Sequence, residues 1–160
     1  MKKLLLLLLS VIILSCSKNS NSSPGIFRIE YDNTIWVEDT VGESYVKFSK
    51  DYVVKIFDEF SCDINYEGEF NFTDSDGYNE VSALSVGEET ETTLKFTQVD
   101  ISNPEREKLY QFYFEIVPDG KLYFRIYCDG VLAVDTTFTK VDKLNFTEPT
   151  NCDENYIMAC

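Results

Sequence analysis

The chain has 160 residues, 44% of them hydrophobic and 14% aromatic, with 14 basic against 28 acidic side chains, no histidine and a formal net charge of −14. Such a surface repels the phosphates of nucleic acid and the headgroups of anionic lipid. Without histidine the usual triads and the usual neutral-pH base are missing, and no carboxylate pair or activated cysteine stands out in their place, so the sequence reads as non-catalytic and free of cofactors.

Met1-Lys2-Lys3 is a short positive segment, followed by an apolar run of eleven residues, Leu4 to Leu14, broken only by Ser10. A membrane-spanning helix takes about 20 apolar residues. This shorter run fits the hydrophobic region of a secretory signal peptide. The segment Ile13-Leu14-Ser15-Cys16 resembles the lipobox of bacterial lipoproteins. That resemblance implies cleavage before Cys16, removal of residues 1–15, and diacylglycerol on the Cys16 sulfur. Two or three acyl chains hold a protein firmly to a bilayer, whereas one holds it marginally. Loss of Lys2 and Lys3 leaves 12 basic against 28 acidic residues, a mature charge of −16. The stretch Ser17-Lys18-Asn19-Ser20-Asn21-Ser22-Ser23-Pro24-Gly25 is too polar to order itself and reads as a flexible tether over residues 16–25. It carries none of the acidic residues that mark surface-exported lipoproteins. The expected location is therefore the cell envelope, lipid-anchored to the outer membrane and facing the periplasm.

From Ile26 to Asp142 the signal is strand, rich in Tyr, Phe, Val, Ile and Thr with frequent alternation. Ile35-Trp36 opens the first strand. Tyr45 to Phe48 and Tyr52 to Ile56 form a pair. Tyr66, Gly68, Phe70 and Phe72 alternate with Glu67, Glu69 and Asn71, and Cys62 and Ile64 share the parity expected to face the core. Asp74-Ser75-Asp76-Gly77-Tyr78-Asn79-Glu80 resembles part of a calcium loop, but it lacks the third Asp/Asn and the distal glutamate, which favours an acidic turn. Asn79 to Val86 and Thr92 to Ile101 are further strands, with Glu88, Glu89 and Glu91 in a solvated hairpin loop between them. Asn103 to Glu107 suits a single helical turn with proline at its first position. Residues 109–141 then read as a three-stranded meander. Its turns are Pro118-Asp119-Gly120 and Asp129-Gly130.

Cys62, Cys128, Cys152 and Cys160 remain after Cys16 is set aside. Four thiols in an oxidising compartment suggest two disulfides with three possible connectivities. No close cysteine pair or histidine offers a zinc site. The tail, residues 143–160, reads as a disulfide-bearing strap, stapled to itself or back onto the barrel.

Eight to nine short strands in sequential hairpins predict an all-β, antiparallel up-and-down meander, a closed or nearly closed eight-stranded barrel. Ile35-Trp36, the Tyr45 to Phe48 and Tyr52 to Ile56 pair, and Thr137-Phe138-Thr139-Lys140-Val141 make residues 26–141 similar to the lipocalin-like lipoproteins of Bacteroidetes. In that family a tryptophan closes one end of the barrel and a glycine lies two residues before it; here Trp36 is preceded by Thr34. The resemblance implies a binding module for a small apolar ligand, lined by Phe70, Phe72, Phe112, Phe114, Phe124, Ile126 and Phe138. The volume of so many inward phenylalanines weighs against a cavity. The alternative is a protein-interaction or inhibitor lipoprotein of the envelope. It would use Tyr113, Tyr123, Arg125 and Tyr127 on the outer sheet face, where exposed tyrosine and arginine are typical anchors.

Overall fold

The computed structural model describes residues 24–40, 42–73, 79–100 and 108–154. A short helix, α1 (Ile26–Glu30), precedes β1 (Ile35–Glu38), β2 (Tyr45–Phe48), β3 (Val54–Phe57) and β4 (Cys62–Asn65). There follow β5 (Gly68–Thr73), β6 (Asn79–Glu89), β7 (Thr93–Asp100), β8 (Lys108–Ile116), β9 (Leu122–Cys128) and β10 (Val131–Val141), and finally β11 (Asp153–Glu154).

Among the described residues all eleven strands belong to one sheet, in the order β11-β4-β3-β2-β1-β10-β9-β8-β7-β6-β5. Pairing is antiparallel except between β11 and β4. Hydrogen bonding runs unbroken from β4 through the β1–β10 junction to β5. Among the described residues it stops only between β4 and β5. Yet those two strands are consecutive in the chain, joined by Tyr66-Glu67. Three Cα steps span at most roughly 11 Å, so the sheet must curl until its edges approach at that link. The result is an up-and-down meander wound into a barrel-like curl with an open seam.

The all-β, antiparallel and barrel-like character is as expected, but the closed or nearly closed barrel of eight strands is corrected in strand number and closure. The meander has ten strands, and the single alternating run expected from Cys62 to Phe72 is two strands on opposite sides of the seam. Gly68 marks the break with φ 134°, a conformation that L side chains rarely adopt. The outward edge of β4 is taken by β11, with Asp153 opposite Asp63 and Glu154 opposite Ile64. The meander of residues 109–141 is present as expected. Its β9–β10 turn has Asp129 at φ 50° and Gly130 at φ 81°, both positive as a two-residue hairpin of primed type requires.

The inward face is a stack of phenylalanines. Ring centroids lie 4.5 Å apart for Phe96–Phe112 and again for Phe114–Phe124, both stacked. Phe138 meets Phe124 at 6.1 Å and Phe48 meets Phe114 edge-on at 5.1 Å. Alternation along β7, β8 and β9 places these rings at one sheet face, and curling brings the rings of different strands together.

Helix α1 corrects the expectation of strand from Ile26. Phe27 is fully buried and packs on Tyr31 at 4.7 Å and on Phe48 at 5.0 Å, so the i, i+4 pair of one helical turn plugs the end of the curl. Trp36 is buried beside Tyr31, and its Nε1 donates to Thr34 Oγ1 at 3.1 Å. Thr34 therefore supplies a partner for the indole N–H that a glycine at this position would not.

The N-terminus of α1 is held from a distance. The Gly25 and Arg28 backbone N–H groups donate to the Glu89 carboxylate at 3.1 and 2.8 Å, and Arg28 Nε and Nη2 donate to it as well. The bond from Arg28 Nη2 is 2.9 Å long, and the two side chains are 6% and 7% exposed. Glu89 was expected in a solvated loop. It turns inward because the β6–β7 register shifts between Val86 and Glu88, which reverses parity beyond Gly87.

Candidate functional site

Two faces of the sheet compete as the functional surface. On the inner face, Phe112, Phe114, Phe124, Ile126 and Phe138 are between 0% and 4% exposed. Each is enclosed by neighbouring protein atoms, so a ligand against them has to displace a packed ring. Phe70 is half-buried near the seam. The side chain of Phe72 lies outside the described residues. Inward polar groups include Gln98, whose Nε2 donates to Ser82 Oγ at 2.9 Å, and buried Asn65 at the end of β4.

On the outer face, antiparallel register sets Tyr113 opposite Arg125, Gln111 opposite Tyr127 and Glu115 opposite Tyr123. Tyr113 and Tyr127 meet edge to face at 5.3 Å. The Arg125 guanidinium lies 5.3 Å over the Tyr123 ring and bonds Asp135 at 3.3 Å. Lys95, paired with Glu88 at 2.6 Å, lies 5.6 Å from the centre of Tyr113. The four side chains singled out from sequence are thus one connected, half-exposed patch across β8 and β9.

The chain matches no family model and no curated protein sequence.

A second outer surface was not foreseen. The tail crosses the outside of β2, β3 and β4 in turn. Phe146 packs edge-on against Tyr45 at 5.3 Å. Glu148 bridges Lys47 at 3.0 Å and Lys55 at 2.8 Å, and Lys55 Nζ also donates to the Pro149 carbonyl. Cys152 then forms a disulfide with Cys62. The strap is stapled back onto the sheet, one of the two arrangements expected. Cys128 is also disulfide-bonded, with its partner outside the described residues. Register places Cys62 opposite Phe57 and Ile64 opposite Lys55, on the outer face beneath the strap and not toward the core as parity from Phe70 implied. The Tyr66-Glu67 link broke that parity. Glu67, which the alternation with Phe70 and Phe72 puts on the outer, solvated face, lies 3.8 Å from Arg28. The available sign in sequence was the near-continuous apolar run Val53-Val54-Lys55-Ile56-Phe57, the pattern of a strand covered on both faces.

The strap brings carboxylates together. Asp63 is half-buried beside Asp153 of β11. Burial, then the negative charges of Asp153 and Asp58, push its carboxyl up to about 6. A folded-state value above the unfolded one means a stabilising contribution that is fully present below about pH 4 and lost as pH rises through about 6. The thermal midpoint is therefore expected to rise between pH 7.5 and 5. Asp63→Asn should be more stable than the parent at pH 7.5 and lose that dependence. Calorimetry at the two pH values checks this, and a parent midpoint that falls over the interval would refute it.

Among the described residues no cluster of three metal-ligating side chains occurs. Cys16, Cys160, the acidic segment Asp74 to Tyr78 and the expected turn from Asn103 to Glu107 lie outside the described residues.

Proposed function

We propose that the protein is a non-catalytic interaction module, exported and lipid-anchored through Cys16, that presents the outer face of β8 and β9 to a partner in the cell envelope. The observation that carries this reading is the packing of the inner face. Phe112, Phe114 and Phe124 of the candidate lining are buried and stacked on each other and on Phe96, while Tyr113, Tyr123, Arg125 and Tyr127 stand together outside. Tyrosine and arginine are enriched among the residues that dominate interface binding energy: tyrosine buries a large rigid area with few rotatable bonds, and arginine presents a planar guanidinium with five donors. The Cys62–Cys152 disulfide supports an oxidising compartment. If Cys16 carries lipid, Cys160 is the cysteine left for Cys128.

Capture from envelope extract by the exported chain tests the face. Arg125→Ala with Tyr127→Ala is expected to weaken capture by a factor of ten or more, since an anchor residue contributes roughly 2 kcal/mol. Undiminished capture would count against this face. Native mass spectrometry tests the carrier alternative: a small molecule retained by the purified protein would replace the interaction reading. Palmitate labelling that survives Cys16→Ala would remove the anchor.

A further inference from the structure

A groove of about 370 Å³ opens between the β1–β2 connection, the β3–β4 turn and the strap, lined by Gly42, Glu43, Tyr45, Asp58, Glu59, Phe60, Asn145 and Phe146. We infer that this groove binds the side chain of a lysine or arginine carried on a basic protein segment. The inference goes beyond the interaction reading by adding a second site and the chemistry of what it takes. It uses none of the residues of the β8–β9 face, so the two stand or fall separately.

Three aromatic rings and three carboxylates line the groove, and none of its eight residues is basic. That combination matches a cation on an apolar stem. The methylenes meet ring surface, and the charged head meets ring faces and carboxylates. Tyr45 is fixed between Phe57, stacked at 5.5 Å, and Phe146, edge-on at 5.3 Å. Phe60 is 89% exposed and leaves its ring faces open. A single exposed phenylalanine is ordinary; this one is held at the lip of a groove by a built turn. The backbone N–H groups of Phe60 and Ser61 each donate to Asp58 Oδ1 at 2.6 Å, and the Ser61 hydroxyl donates to Oδ2 at 2.9 Å. Those bonds, the Phe60 amide first, hold the Asp58 carboxyl below its usual range, so the carboxylate stays anionic at neutral pH. Preorganised rings and charge cost little entropy on binding.

The occupant is a side chain of a protein because of size and field. The groove volume lies near the small end of ligand sites. It is also open at the exposed Phe60, where the rest of a chain can pass. A net charge of −14 draws a basic protein from a distance. The strap supplies Asn145 and Phe146, so the groove exists only while the strap is docked.

The test is an NMR titration of the exported, disulfide-bonded protein with acetyl-Gly-Arg-Gly-amide, its lysine counterpart, a norleucine counterpart and tetramethylammonium chloride. Saturating shifts at the Gly42, Phe60 and Asn145 amides are expected with the two basic peptides and not with norleucine. Phe60→Ala should weaken binding roughly two- to fivefold, the range of an exposed cation–π contact. Glu43→Gln with Glu59→Gln should weaken it further and reduce its dependence on salt. All three side chains are exposed, so near-unchanged thermal midpoints confirm that the variants fold. No saturable shift, or binding unchanged in the variants, overturns the site. Tetramethylammonium binding as tightly as the peptides overturns the protein source of the cation.

Discussion

Glu89→Ala is expected to lower the unfolding free energy by about 3–5 kcal/mol, the cost of stranding one member of a buried ion pair. Arg28 would keep its charge at a site where its side chain is only 6% exposed. Glu67, at 3.8 Å and 22% exposed, is too distant and too solvated to replace the lost partner. The same substitution removes the acceptor for the Gly25 and Arg28 backbone N–H groups, which leaves the first turn of α1 uncapped. Because Phe27 seals the curl from that turn, its packing on Phe48 loosens too. Urea denaturation should show the midpoint falling with little change in slope. Glu67→Gln should cost below about 1 kcal/mol. A Glu89→Ala loss no larger than that of Glu67→Gln would mean that the pair does not anchor the helix. Gly25 belongs to the same arrangement: a Cβ there would lie 2.3 Å from the Glu89 carboxylate.

Opening the Cys62–Cys152 disulfide should cost nearly as much. The bond joins residues 90 apart, and closing a loop of that length removes about 4–5 kcal/mol of unfolded-state entropy in the chain model, with measured losses for native disulfides of roughly 2–5. Cys62→Ser with Cys152→Ser isolates this bond from the one made by Cys128. A thermal midpoint lower by roughly 10 °C is expected, at about 3–4 °C per kcal/mol for a domain of this size. The strap should also become the first site of proteolysis, because Glu148 and the two residues of β11 are slender holds without the staple. Cleavage that starts elsewhere, with the midpoint unmoved, would show that the strap is held by its noncovalent contacts alone.

Most of the meander was legible in sequence because hairpins are local. Asp129-Gly130 needs positive φ, and the alternation of Leu122, Phe124 and Ile126 defines one face without reference to any other strand. The outer patch followed by the same reasoning, since residues that alternate with buried ones in paired strands must share the opposite face. Parity reasoning failed wherever one residue interrupted the ladder. At Gly68 and at the bulge beside Gly87 the register changed, which sent Cys62 outward and Glu89 inward. A glycine inside a strand pattern is the sequence sign of such a break, but it does not say which way the chain turns afterwards.

By itself the sequence determined an acidic, strand-rich, antiparallel chain with cysteines enough for two disulfides. These follow from composition, alternation and turn chemistry, all of which act within a few residues. Tertiary structure decided what depends on distant residues meeting. It set the seam between β4 and β5, the seal of α1 by Glu89, and the passage of the tail over Lys47 and Lys55 to Cys62. It also stacked Phe112, Phe114 and Phe124 of the candidate lining on each other and on Phe96. Alternation points each ring inward, but whether inward rings enclose a space or fill it depends on how tightly the sheet curls, and no local pattern encodes that curvature.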